Sequence, residues 1–341
     1  MPLSEDSATA HTLAQNDGAQ IVSSSHSAAR SVARTNAESR KPSLPDINDE
    51  DLGVLTSEIP TVAASENVGA AASDIEPWLI ALDIDGTILD YDGTLSPAVK
   101  DAVIAAEKAG HHVVLASGRD LTAMQPIVEM LGLTNGRIVC SNGCVIVHLD
   151  PHFGAGYWIE QVSTFDAEPL IRSIAEHLPT ARFAVEDVGR GYRVNELFNE
   201  GELGGEFHLV PFDQLAGGGL VTRVVIRGGD ETPEEFSQAI ASLGMTGMSY
   251  FVGYNAWMDV VPDGVSKASA LEQVRAKLGI PIERTLAIGD GHNDIDMLQW
   301  AGRGVAMGQA DLEVRMAADH VTESVARDGV AHALRPILPT H

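Results

Sequence analysis

The chain is short of cations, aromatics, cysteine and long apolar runs, and each shortage removes a class of function. Lysine and arginine number 22 against 48 aspartates and glutamates, a formal charge of −26 over 341 residues. Nucleic-acid binding rests on cations that neutralise phosphates, so no nucleic-acid partner is expected. No apolar stretch approaches the ~18 residues of a membrane span, so no membrane partner is expected either. The opening MPLSEDSATA lacks the basic-then-apolar order of a secretory signal, and the chain reads as cytoplasmic. Its two cysteines, Cys140 and Cys144, stand at a C-x3-C spacing that is neither a disulfide framework nor a zinc pair, and they are expected to be buried thiols.

The aromatic shortage is uneven. The four tryptophans, five tyrosines and eight phenylalanines all lie beyond residue 76, and residues 1–76 hold twelve acidic and four basic side chains. Such a segment lacks the large side chains that offset ordering entropy. It is expected to be a disordered acidic tail, with a transient helix around Ser27–Ala33. The chain as a whole is 44% apolar. Its 341 residues allow about two domains, and the 265 beyond the tail should form the folded body.

That body opens with Trp78-Leu79-Ile80-Ala81-Leu82, and similar runs follow at His112–Ala116, Arg137–Cys140, Thr285–Ile288 and Gly304–Met307. Each is apolar on both faces, as parallel strands covered by helices are. Pro97–Ala109 reads as a helix stopped by Gly110. Ser266 reads as the N-cap of another, with Leu271, Val274 and Leu278 on one face and Gly279 and Pro281 as stop signals. This alternation predicts a doubly wound α/β sheet, whose ligands bind at the C-terminal strand ends.

Four polar clusters sit at those ends. In Asp83-Ile84-Asp85-Gly86-Thr87, two carboxylates spaced i, i+2 can border one cavity if the chain turns at Gly86. The plain alternative is a solvated loop. A calcium loop is excluded because glycine stands fourth and Thr94 twelfth, where an EF-hand needs glycine sixth and glutamate twelfth. Ser117-Gly118-Arg119, between a strand and a helix, offers a hydroxyl and amides to an oxyanion, and equally reads as a turn and cap. Lys267 at a helix N-terminus opposes the helix dipole and so calls for a compensating anion. In Gly289-Asp290-Gly291-His292-Asn293-Asp294, Asp290 can bind a hard cation and Asn293 and Asp294 can support it. His292 reads as a loop residue.

Together and in this order the four clusters resemble the haloacid dehalogenase superfamily, over about 260 residues from Trp78 onward. The phrases Ser141-Asn142-Gly143, Gly264-Val265-Ser266-Lys267, Gly289-Asp290-Gly291-His292-Asn293-Asp294 and Asp328-Gly329-Val330-Ala331 are similar to the Cof-type phosphatases of class IIB. Spacing agrees. The 33 residues between Asp83 and Ser117 are used up by one strand–helix–strand unit of about 30. The 149 between Ser117 and Lys267 leave room for an inserted domain. The expected division is a core of 77–149 and 261–341 with an α/β cap over 150–260. The cap reads as helix Asp166–His177 with strands Arg182–Glu186 and Tyr192–Asn195, then helix Pro233–Leu243 with strands Ser249–Val252 and Trp257–Val261. Its Gly-rich middle, Gly201 to Gly219, reads as irregular.

The resemblance implies a phosphatase acting on a small phosphorylated metabolite with Mg2+. Asp83 would be the nucleophile and Asp85 the general acid and base. Asp83, the Asp85 carbonyl and Asp290 would hold the metal. Ser117 and Lys267 would grip phosphate oxygens, assisted by Asn293 and the Gly86 and Thr87 amides, with Gly118 and Arg119 alongside. Asp294 would orient Lys267 or a metal-bound water. Leaving-group selectivity would lie in the cap, where Asp187, Arg190, Tyr192 and Asn195 are candidates and an ordinary solvated hairpin is the alternative. Sugar phosphates, nucleotides, flavin mononucleotide and pyridoxal phosphate all stay open. A phosphomutase would use the same site with a sugar hydroxyl as acceptor, and a non-catalytic phosphate-binding module is a further reading. A dehalogenase needs neither Asp85 nor Asp290.

Overall fold

The computed structural model describes residues 76–199, 202–243, 248–253 and 256–339. Apart from Glu76, the expected tail and its Ser27–Ala33 helix lie outside them. Among the described residues no helix is long and apolar enough to cross a membrane.

Strand Leu79–Leu82 is buried at every position, which is why both of its faces had to be apolar. It lies inside an eight-stranded sheet ordered His320–Val321, Arg303–Ala306, Thr285–Gly289, Leu79–Leu82, His112–Ala116, Gly136–Cys140, Val145–Leu149, Tyr157–Val162. Side chains alternate between its faces. Ile80 and Leu82 pack with helices Pro97–Lys108 and Leu121–Leu131 on one side, and Leu79 and Ala81 with helix Lys267–Leu278 on the other. The first six strands are parallel, as the doubly wound reading requires. Val145–Leu149 runs antiparallel to both of its neighbours, so Tyr157–Val162 points the same way as the first six. The cause is the turn Ser141-Asn142-Gly143, where all three residues have positive φ (52°, 54° and 105°) and the chain doubles back. The chain therefore stays in this sheet through Val162, beyond the boundary expected at residue 149.

The inserted region builds a second, six-stranded sheet ordered Met248–Gly253, Trp257–Pro262, Val224–Arg227, Arg182–Asp187, Gly191–Val194, Glu206–Leu209. Helices Glu168–His177 and Pro233–Ser242 cover one face, through Leu170, Ile171, Ile174, Phe236 and Ile240 against Phe183, Val185, Ile226 and Met258. The twofold helix–strand–strand pattern is present, with two additions. Val224–Arg227, not anticipated from the sequence, is a central strand paired on both sides. The middle expected to be irregular contains strand Glu206–Leu209, parallel to Gly191–Val194, and the short helix Phe212–Ala216. Glycines there punctuate elements and do not abolish them.

Candidate active site

Asp83 leaves strand Leu79–Leu82 with its N–H on the Ile288 carbonyl, 3.0 Å away. This last ladder bond fixes the carboxylate at the sheet's C-terminal edge. Gly86 then turns the chain at φ +77°, and a Cβ there would stand 2.2 Å from Asp290 Oδ2. Only glycine lets the two loops approach this closely.

Lys267 is the first residue of helix Lys267–Leu278, which Ser266 caps reciprocally with Ser269. The anion demanded by a cation at that helix end is present twice over. The fully buried Nζ donates to Asp83 Oδ1 and to Asp294 Oδ1, each at 2.6 Å. Burial alone would lower the ammonium's pKa, but the carboxylates of Asp294 and Asp83 raise it, so it stays charged. Asp294 Oδ2 accepts the amides of Asp290 and Gly291 at 3.0 and 2.9 Å. With both oxygens engaged, Asp294 ties Lys267 to the Asp290–Gly291 turn.

Asp83, Asp290 and Asp294 place one carboxylate oxygen each within 4.8 Å of one another. Burial, then repulsion from Asp294, pushes the Asp83 carboxyl up to about 7 against the pull of Lys267. Burial, then repulsion from Asp83, pushes Asp290 up to about 6. Hard oxygen donors in mutual repulsion fit a divalent cation such as Mg2+. Asp83 and Asp290 would hold it.

Asp85 sits on the other side of Asp83 and takes a two-pronged grip from Arg119, Nε to Oδ2 at 2.9 Å and Nη2 to Oδ1 at 2.6 Å. Ser117, buried at the end of strand His112–Ala116, accepts the Arg119 amide on its Oγ at 3.1 Å. Asn293 reaches this loop through Asn142, Nδ2 to Oδ1 at 3.1 Å, while the Asn142 amide donates to the Ser117 carbonyl at 3.0 Å.

The structure thus gathers Asp83, Asp85, Ser117, Gly118, Arg119, Lys267, Asn293, Asp290 and Asp294. It does not free the Gly86 and Thr87 amides for phosphate. The first donates to the Leu89 carbonyl at 2.8 Å and the second to that of Ile84 at 3.2 Å. The turn that re-aims the chain consumes its own N–H groups. Thr87 contributes its hydroxyl, which donates to Asp290 Oδ1 at 3.4 Å. Two residues join the site without having been anticipated. The Tyr91 hydroxyl donates to Asp290 Oδ2 at 2.7 Å, and Gln309 Nε2 donates to the Gly86 carbonyl at 2.6 Å and toward Asp290 Oδ2 at 3.4 Å.

Above these residues lies a cavity of about 1290 Å³, with Asp83, Asp85 and Ser117 on its floor and Tyr192, Arg223 and Leu203 on the wall supplied by the inserted region. Of the four cap candidates, Tyr192 reaches this wall. Asp187 pairs with Arg193 at 3.1 Å, and Asn195 accepts the Phe183 amide at 2.6 Å within the second sheet. Cys140 and Cys144 are buried free thiols whose pKa burial raises.

A family model for haloacid dehalogenase-like hydrolases matches residues 80–334. A 5-amino-6-(5-phospho-D-ribitylamino)uracil phosphatase of Bacillus subtilis is 30% identical over 264 residues, 77% of this chain and 96% of that protein. A pyridoxal phosphate phosphatase of Escherichia coli is 28% identical over 276 residues, 75% of this chain and 98% of that one. Among solved structures, a sugar phosphatase of subclass IIB superposes with a TM-score of 0.63 at 23% identity, covering 76% of this chain and all of that one. The chain belongs to the haloacid dehalogenase-like hydrolases, as a phosphatase of that family built on the subclass IIB fold.

Proposed function

We propose that the protein hydrolyses phosphate monoesters of small metabolites through an aspartyl-phosphate on Asp83. The observation that carries this reading is the placement of Asp83. It is buried, 2.6 Å from the Lys267 ammonium, and faces the same cavity as a second carboxylate two residues on. A phosphate dianion asks for charge neutralisation and positioning above all. Lys267 and the Ser117 hydroxyl supply these from two sides of Asp83. Asp83 and Asp290, with the Asp85 carbonyl that family resemblance adds, would hold Mg2+, which would supply positive charge to offset repulsion between carboxylate and phosphate.

In the first step an Asp83 oxygen bonds to phosphorus, the bond from phosphorus to the ester oxygen breaks, and the leaving oxygen takes a proton from the Asp85 carboxyl. In the second, a water oxygen bonds to phosphorus, the bond from phosphorus to the Asp83 oxygen breaks, and the water gives its proton to the Asp85 carboxylate. Inorganic phosphate leaves and Asp83 is regenerated. The Asp85 side chain lines the cavity, where the ester oxygen would lie, and Arg119 holds it there. Relatives whose substrates are a ribitylaminouracil phosphate and pyridoxal phosphate support a small phosphorylated metabolite as the substrate class.

Phosphate release from an aryl phosphate, with and without Mg2+, tests this. The wild type should require the metal, and Asp83→Asn should lose at least about 10³-fold in kcat while remaining folded. Full turnover by Asp83→Asn refutes the nucleophile. An isomerised ester in place of free phosphate from a hexose phosphate would make the enzyme a mutase.

A further inference from the structure

The strands of the second sheet alternate, and the alternation that turns Val185, Val224 and Val260 toward its helices turns Glu186, Arg223 and Asp259 toward the first sheet. Tyr192 stands directly across from Glu186. These polar side chains sit in a buried seam directly above the Ser117–Asp120 loop. Arg223 donates to the Gly118 carbonyl and to the Tyr192 hydroxyl, and that hydroxyl donates to Asp120 Oδ2 at 3.0 Å. Glu186 Oε2 and Asp259 Oδ1 stand 3.4 and 3.7 Å from the guanidinium and balance its charge.

We propose that Arg223 is a positioning residue for phosphate binding, acting through the Gly118–Arg119 peptide. This rests on the phosphatase reading given above. The peptide is planar and trans, so its carbonyl and N–H point in opposite directions. With the Gly118 oxygen drawn to Arg223, the Arg119 N–H is turned to the other side, where it meets Ser117 Oγ at 3.1 Å. A hydroxyl oxygen that accepts this bond directs its own proton elsewhere, toward a phosphate oxygen in the cavity. The same loop is held again two residues on, because Asp120 is both the N-cap of helix Leu121–Leu131 and the acceptor for Tyr192. With its charge already faced by Glu186 and Asp259, Arg223 works through the loop and not as one more phosphate ligand.

Inorganic phosphate tests this, because it has no leaving group and needs no turnover to bind. By calorimetry in Mg2+, Arg223→Met should bind phosphate about tenfold to a hundredfold more weakly, the loss expected when an oriented hydrogen bond to an anion is removed. It should lower kcat/KM for aryl, hexose and pentose phosphates by that same factor. Arg223→Lys, which keeps a donor for the Gly118 carbonyl, should recover most of the loss. Unchanged phosphate affinity overturns the proposal. So does a kcat/KM loss that varies from one leaving group to the next, which would place Arg223 in contact with the leaving group. If Arg223→Met does not fold, Tyr192→Phe removes one support of the guanidinium and should weaken phosphate binding about threefold; no weakening there also overturns it. A wild type that hydrolyses nothing, yet binds phosphate and loses it on Arg223→Met, would refute the phosphatase reading and leave this one standing.

Discussion

Lys267 with Asp83 and Asp294, and Arg223 with Glu186 and Asp259, are each one buried cation facing two carboxylates across the same cavity. They are connected differently. The ammonium bonds both of its carboxylates directly at 2.6 Å. The guanidinium spends its short bonds on a carbonyl and a hydroxyl and stands 3.4 and 3.7 Å from its acids. The oxygens of Glu186 are taken up by Ser141 at 2.7 Å and Thr222 at 3.3 Å. Asp83 Oδ1 is held by Lys267 and Asp83 lines the cavity, where its carboxylate meets the charge of Asp290. The first assembly therefore keeps a carboxylate under electrostatic load and open to a ligand. The second turns its hydrogen bonds to a carbonyl and a hydroxyl and braces a loop.

The comparison breaks most readily at Lys267. Lys267→Met leaves Asp83 and Asp294 facing each other without a cation, and removing one partner of a buried pair costs about 3–5 kcal/mol. Chemical denaturation should show that loss, together with the loss of activity. A variant as stable as the wild type would mean that the two carboxylates protonate at no cost, contrary to the load inferred here. The exposed pair should behave in the opposite way. Side chains of Arg119 and Asp85 are 33% and 54% exposed, so Asp85→Asn should change stability by less than about 1 kcal/mol. Its kcat should nonetheless fall by about 10²–10⁴. A stability change larger than the catalytic one would make Asp85 a structural residue.

How much of this was legible beforehand follows the same division. Asp83, Asp85, Lys267 and Asp290 stand out in the sequence because each is a charged residue at the end of an apolar strand or the start of a helix, where burial alone offers no reason for it. The compensating anion for Lys267 was demanded by the helix dipole, and the fold supplied two. The hydrogen bonds of the Gly86 and Thr87 amides, to Leu89 and Ile84, are settled by the path of the turn and not by residue type. Tyr91 and Gln309 carried no local signal: Tyr91 meets Asp290 from 199 residues away, a pairing that only the fold creates. The seam is written in the chain as period-two alternation, Arg223 and Val225 against Val224 and Ile226. Which face would meet the first sheet was decided by helices Glu168–His177 and Pro233–Ser242 covering the other.

The brace has a charge signature of its own at Asp120, the smallest effect expected. Burial works to raise the Asp120 pKa, but the Thr122 hydroxyl, the Ala123 amide, Arg223 and Tyr192 together lower it below the ordinary 3.8. A carboxylate whose folded pKa is depressed contributes stability that is complete above its unfolded value. That stability is lost as pH falls through the lower, folded one. Asp120→Asn keeps the N-cap, since asparagine caps as well as aspartate, and removes the charge together with the oxygen that accepts from the Tyr192 hydroxyl. Its melting temperature should therefore lie below that of the wild type at pH 7 and 5, with the gap closing as pH drops below about 4. A gap unchanged down to pH 3 would show that Asp120 holds the loop by shape alone, and that the charge facing Tyr192 and Arg223 does nothing for the brace.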